Sequence, residues 1–61
     1  MYIVYDINDV YELPIYSSEV LNEVLDHINI TKQAYYKARN VHSNKCMLYG
    51  KQLVIEFVNI D

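Results

Sequence analysis

The sequence predicts an α+β domain with the element order β-β-α-α-β-β, two central helices lying on a small antiparallel sheet. Three observations predict it. The two ends, Tyr2-Ile3-Val4-Tyr5 and Leu53 to Val58, are rich in the β-branched and aromatic side chains that fit strands. Between them, two apolar stripes at helical spacing are separated by Asn29-Ile30-Thr31. The single glycine of the 61 residues, Gly50, divides the C-terminal extended stretch as a hairpin turn would.

Taken in order, Tyr2 to Tyr5 is the first strand. Asp6-Ile7-Asn8-Asp9 is a turn, because Asn and Asp side chains bond their own backbone and accept tight geometry. Val10 to Tyr16 resumes an extended pattern and completes an N-terminal hairpin. Pro14 lacks an N–H and places that strand at an edge or breaks it there. Ser17 and Ser18 are candidate helix caps, and Glu19 then falls where the helix dipole favours a negative charge. Val20, Leu21, Val24, Leu25 and Ile28 form one apolar stripe, with Glu19, Glu23 and Asp26 on the opposite face.

Asn29 is suited to the left-handed conformation that ends a helix. Thr31 caps a second helix, whose inner side carries Ala34, Tyr35, Ala38 and Val41 and which frays around His42-Ser43-Asn44. Lys32, Gln33, Tyr36, Lys37 and Asn40 project within an arc of roughly 140°, flanked by Arg39. Cys46 to Tyr49 and Gln52 to Ile60 form the second hairpin. Leu53, Ile55 and Phe57 alternate with Val54, Glu56 and Val58, so both faces of the last strand are largely apolar. A central strand, or one covering a dimer partner, fits that pattern. The expected core is Ile3, Tyr5, Leu13, Ile15, Val20, Leu21, Val24, Leu25, Ile28, Ile30, Tyr35, Ala38, Leu53, Ile55 and Phe57.

Length allows one domain, residues 1–61, with too few residues for a cleft between lobes. A hydrophobic fraction of 52% is too high for a disordered chain. One Cys excludes an internal disulfide, and the opening residues read as no signal peptide, so a reducing cytoplasm is the expected compartment. No apolar run approaches the ~20 residues of a membrane span. Net charge is −3, yet it is unevenly spread. Lys32, Lys37, Arg39, Lys45 and Lys51 are the only basic residues besides histidine, and no Asp or Glu lies between His27 and Ile55. Two surfaces of opposite sign follow.

Two short helices with a three-residue joint and a basic outer face resemble the helix-turn-helix family, over roughly residues 20 to 42 within a core of about 18–43. Leu25, Ile28, Asn29, Ile30 and Thr31 occupy its mid-helix, pre-turn, turn, post-turn and cap places, and Tyr35 and Ala38 its later apolar ones. Asn29 stands where the family prefers Gly, Leu25 where Ala is usual, and Tyr35 where Val or Ile is usual; these departures bear on the angle between the helices. The whole chain also resembles very short proteins encoded by phages and prophages of Gram-positive bacteria, with a Tyr-rich first strand, Glu12-Leu13-Pro14-Ile15, and an ending like Lys51 to Val58.

The helix-turn-helix resemblance implies a small non-enzymatic DNA-binding regulator of transcription. Thr31, Lys32 and Gln33 would begin the recognition helix, and Gln33 would read an adenine edge. Tyr36 and Asn40 would lie on the same face. Lys37, Arg39 and Lys45 would neutralise phosphates, with Lys51 as a small wing. A homodimer on double-stranded DNA is then expected. The alternative is a phage-encoded protein-binding module or inhibitor of a host protein, anti-CRISPR-like or a DNA mimic. It would act through a sheet edge or through Glu19, Glu23 and Asp26, joined by Asp6, Asp9 and Glu12. Nothing supports catalysis: no Gly-rich elbow surrounds Ser17 or Ser18, and one Gly builds no phosphate loop. His42 and Cys46 make only a pair, short of the four ligands of a structural zinc, so no metal, cofactor or small-molecule substrate is expected. His27 suits the end of the first helix, and Cys46 a buried position. Tyr2, Tyr5, Tyr11, Tyr16 and Tyr49 are expected to be structural residues on strands.

Overall fold

A computed structural model describes residues 1–39 and 42–59. Its elements run β1 (Tyr2–Asp6), β2 (Tyr16–Ser18), α1 (Leu21–Ile28), α2 (Lys32–Ala38), β3 (Lys45–Leu48) and β4 (Leu53–Phe57). The strands form one antiparallel sheet in the order β2-β1-β4-β3. The two terminal strands are therefore neighbours at its centre. Beyond them, the Met1 ammonium donates to the Val58 carbonyl at 2.9 Å, and the Val58 N–H returns a bond to Met1 at 2.8 Å. The central position expected of the last strand is the one observed, although β4 ends at Phe57 and Ile60 lies outside the described residues.

Strand register defines the two faces, since directly opposed residues share one. Tyr16, Val4, Ile55 and Cys46 form a continuous row across all four strands. Val4, Ile55 and Cys46 are buried with Val24, Leu25, Ile28, Tyr35 and Leu48, so the helices cover this side. The next rows, Tyr5-Val54-Met47 and Ile3-Glu56-Lys45, point away from the helices. Even so, Tyr5 and Val54 are buried. The β1–β2 connection is tied to this side by Glu12, whose Oε1 lies 3.3 Å from Lys45 Nζ. Tyr5 donates its hydroxyl to Glu56 Oε1 at 3.0 Å within the same group.

The N-terminal hairpin differs from expectation. Val10 to Ile15 is not a strand, and β2 is only Tyr16–Ser18. The Asp9 carboxylate explains it by accepting from the N–H groups of Tyr11 and Leu13, at 2.9 and 3.1 Å. Glu12 between them takes a positive φ of 53°, and Pro14 has no N–H to offer. These residues spend their backbone donors locally, and the ladder resumes only where the Ile15 N–H reaches the Val4 carbonyl at 2.7 Å. Leu13 and Ile15 are accordingly exposed rather than in the core, as is Tyr11.

Helix α1 also starts later than expected. Val20 is its N-cap, is half exposed and makes no side-chain cap bond. Ser17 pairs with Ile3 in the sheet. Ser18 Oγ accepts from the Val20 N–H at 3.1 Å and donates to Glu23 Oε2 at 2.6 Å, so the serine organises the helix start from two residues before the cap. Glu23, not Glu19, is the acid of the first turn. Asn29 ends the helix in the left-handed conformation, φ 59° and ψ 51°, as its residue type predicts. In the second hairpin the left-handed residue is Gln52, φ 55°, and not Gly50.

Candidate nucleic-acid interface

Thr31 adopts extended geometry and its Oγ1 accepts from the Ala34 N–H at 3.1 Å, which starts α2 where the sequence predicts. The helix is shorter than expected. It ends at Ala38, and Arg39 turns the backbone to an extended conformation and makes a bridge to Cys46. Seven residues give fewer than two turns. Only Tyr35 reaches the core from this helix, and Ala38 is exposed instead of buried. Val41 and Asn40 lie outside the described residues, so the apolar position of the one and the binding role of the other are not placed.

Lys32, Gln33, Tyr36 and Lys37 are all exposed, and together with Thr31 and Ala34 they line one shallow surface. No acid lies in α2, and among the described residues Lys32, Lys37 and Arg39 form no ion pair. Tyr36 packs edge-on against Tyr35, with ring centroids 5.2 Å apart and planes at 71°. The core anchor of α2 thus orients its outward aromatic neighbour.

Lys45 does not join this surface. It shares the row of Glu56 on the side away from the helices, 3.9 Å from that carboxylate and 3.3 Å from Glu12. Its hydrogen bonds to Tyr5 and Glu12 hold the ammonium pKa above its ordinary value. Lys45 is a clamp for the β1–β2 connection. Lys51 is exposed in the β3–β4 turn.

Glu19, Glu23 and Asp26 are exposed along one side of α1 and its approach. The other acids of the proposed mimic are engaged in the fold. Asp6 accepts from the Asn8 N–H at 2.8 Å, Asp9 holds the following turn, and Glu12 pairs with Lys45. His27 lies in the last turn of α1 and stacks on Tyr16 at 3.9 Å. Cys46 is buried, its thiol pKa is pushed up by desolvation, and its Sγ donates to the Tyr35 carbonyl at 3.6 Å. Among the described residues no group of three His, Cys, Asp or Glu side chains stands ready to hold a metal. No helix of the described residues is long and apolar enough to cross a membrane.

Sequence reasoning missed a neighbouring feature. Tyr2, Tyr35, Tyr36, Phe57 and Arg39 line a cleft beside the α2 surface. The only available signal was aromatic content, and Tyr2 and Phe57 sit 55 residues apart, brought together by the pairing of β1 with β4. Comparison with protein-family models, with curated proteins and with solved structures finds no match to this chain.

Proposed function

We propose that the protein is a small, non-enzymatic, cytoplasmic DNA-binding regulator that uses the outer face of α2. One observation carries the reading: Lys32, Gln33, Tyr36 and Lys37 stand together and exposed on a helix that carries no acid of its own and is fixed by its Thr31 cap. Lys32, Lys37 and Arg39 would meet phosphates, and Gln33 and Tyr36 would face the bases. So short a helix with few cations binds weakly on its own, and a homodimer on two half-sites gives the reading useful affinity and specificity. Relatedness to phage-encoded proteins belongs to the same proposal and rests on the sequence resemblance alone.

The reading is tested by titrating a random-sequence duplex at low salt. Measurable binding is expected, and Lys32→Ala with Lys37→Ala weakens it evenly across sequences. Absence of binding at low salt overturns it. A protein-binding role then takes its place, supported by the exposed side chains of Val10, Tyr11 and Leu13 and by the acidic side of α1.

A further inference from the structure

Beside the α2 surface lies a cleft of about 190 Å³. That is smaller than the ~300–1,000 Å³ of sites for drug-sized ligands, so it has room for one flat ring and not for a cofactor. Two aromatic pairs wall it. Tyr2 and Phe57 have centroids 5.1 Å apart with planes at 54°, and Tyr35 and Tyr36 form the edge-on pair. Phe57 and Tyr36 are 41% and 56% exposed, so their rings are open to stacking.

The polar chemistry of the cleft favours an anion. None of the described side chains lining it is acidic. Arg39 lines the cleft with Tyr35 and Cys46, and its charge opposes the upward push that burial gives the Tyr35 hydroxyl and the Cys46 thiol. Tyr2 and Tyr36 line it too, so three tyrosines and one guanidinium share this cleft. Phenol O–H and guanidinium N–H groups are donors that suit phosphate oxygens.

We infer that this cleft receives one unpaired nucleobase, stacked on Tyr36 and Phe57, with its phosphate on Arg39. The inference rests on the nucleic-acid reading of α2, with which the cleft shares Tyr36. It adds an unpaired base, from a single strand or a locally opened duplex, to what the α2 face meets. Aromatic stacking tolerates any base, so the cleft adds affinity without reading sequence.

The test compares three labelled ligands by fluorescence anisotropy at one low salt concentration: an oligothymidylate of about 15 nucleotides, an abasic strand of equal length, and a duplex. The two single strands carry equal phosphate charge and differ in their bases. The oligothymidylate is expected to bind about 5- to 150-fold more tightly than the abasic strand, the range set by stacking one base. Phe57→Ala, checked for folding by circular dichroism, is expected to remove most of the preference for bases. Equal binding of oligothymidylate and abasic strand overturns the inference. If that equality accompanies duplex binding that Lys32→Ala with Lys37→Ala weakens, the cleft inference alone falls. If neither duplex nor single strand binds, the α2 reading falls with it.

Discussion

The duplex binding proposed for the α2 face would have a salt dependence set by the ion pairs of its cations. Among the described residues, Lys32, Lys37 and Arg39 are cations of α2 and its cap without acidic partners, whereas Lys45 is committed to Glu12 and Glu56. Each neutralised phosphate contributes a slope of about −0.9 to log K against log salt, so these three cations give about −2.7. Between about 50 and 200 mM salt, affinity then falls roughly 40-fold. Lys32→Ala with Lys37→Ala leaves one cation, a slope of about −0.9 and a fall of only about 3.5-fold. Were Lys45 a fourth phosphate contact, the wild-type slope would be about −3.6 and Lys45→Gln would flatten it. The structure instead predicts that Lys45→Gln leaves the slope unchanged. The assay is a fluorescence-anisotropy titration of labelled duplex at four or five salt concentrations. A wild-type slope unaffected by the double substitution, or one flattened by Lys45→Gln, refutes the assignment of contacts.

Three further outcomes concern the fold that presents this face. Asn29→Val is expected to destabilise the protein by about 1–2 kcal/mol, because a β-branched side chain tolerates the left-handed backbone at φ 59° poorly. Asn29→Gly should change stability by less than about 0.5 kcal/mol, relief of strain being offset by a freer unfolded chain; thermal unfolding separates the two variants. Gly50→Ala should stabilise the second hairpin by about 0.4–1 kcal/mol, since Gly50 has no positive φ and a Cβ there meets nothing within 4 Å. A loss of stability in urea would contradict the observed turn. Burial raises the pKa values of Tyr5, Tyr35 and Cys46, while hydrogen bonds to Tyr5 and Glu12 raise that of Lys45. In each case the folded chain holds the proton more tightly. The stability so conferred is complete below the unfolded pKa values, about 8.5 for Cys and about 10 for Tyr and Lys, and is lost as pH rises through the higher folded ones. Urea midpoints are therefore expected to decline above about pH 9, earliest through Cys46, and a rise over that range would contradict the assignment.

The sequence alone determined what short-range chemistry controls. The α1 stripe of Leu21, Val24, Leu25 and Ile28 is legible because helical spacing puts these residues on one side. The joint is legible because Asn29 and Thr31 perform local jobs, a left-handed stop and a cap to the N–H three residues on. The order of elements and the exposed face of α2 follow from these. Strand parity was not legible. In Tyr2-Ile3-Val4-Tyr5 both alternating sets are apolar, so the burial of Val4 under the helices depends on which side they pack. The same ambiguity hid Val54, and nothing local marked Leu48 as a core position against Leu13 and Ile15, whereas the residue type of Cys46 already pointed to burial.

Only the tertiary structure decided where the charges go. Glu12 and Lys45 are 33 residues apart, yet their pairing removes Lys45 from the basic surface and pins the β1–β2 connection. The aromatic cleft likewise exists only because β1 pairs with β4 and brings Tyr2 onto Phe57. Helix caps and stripes are set by neighbours a few positions along the chain. Ion pairs and ring contacts across a sheet are set by strand order and register, which no spacing within a single element specifies.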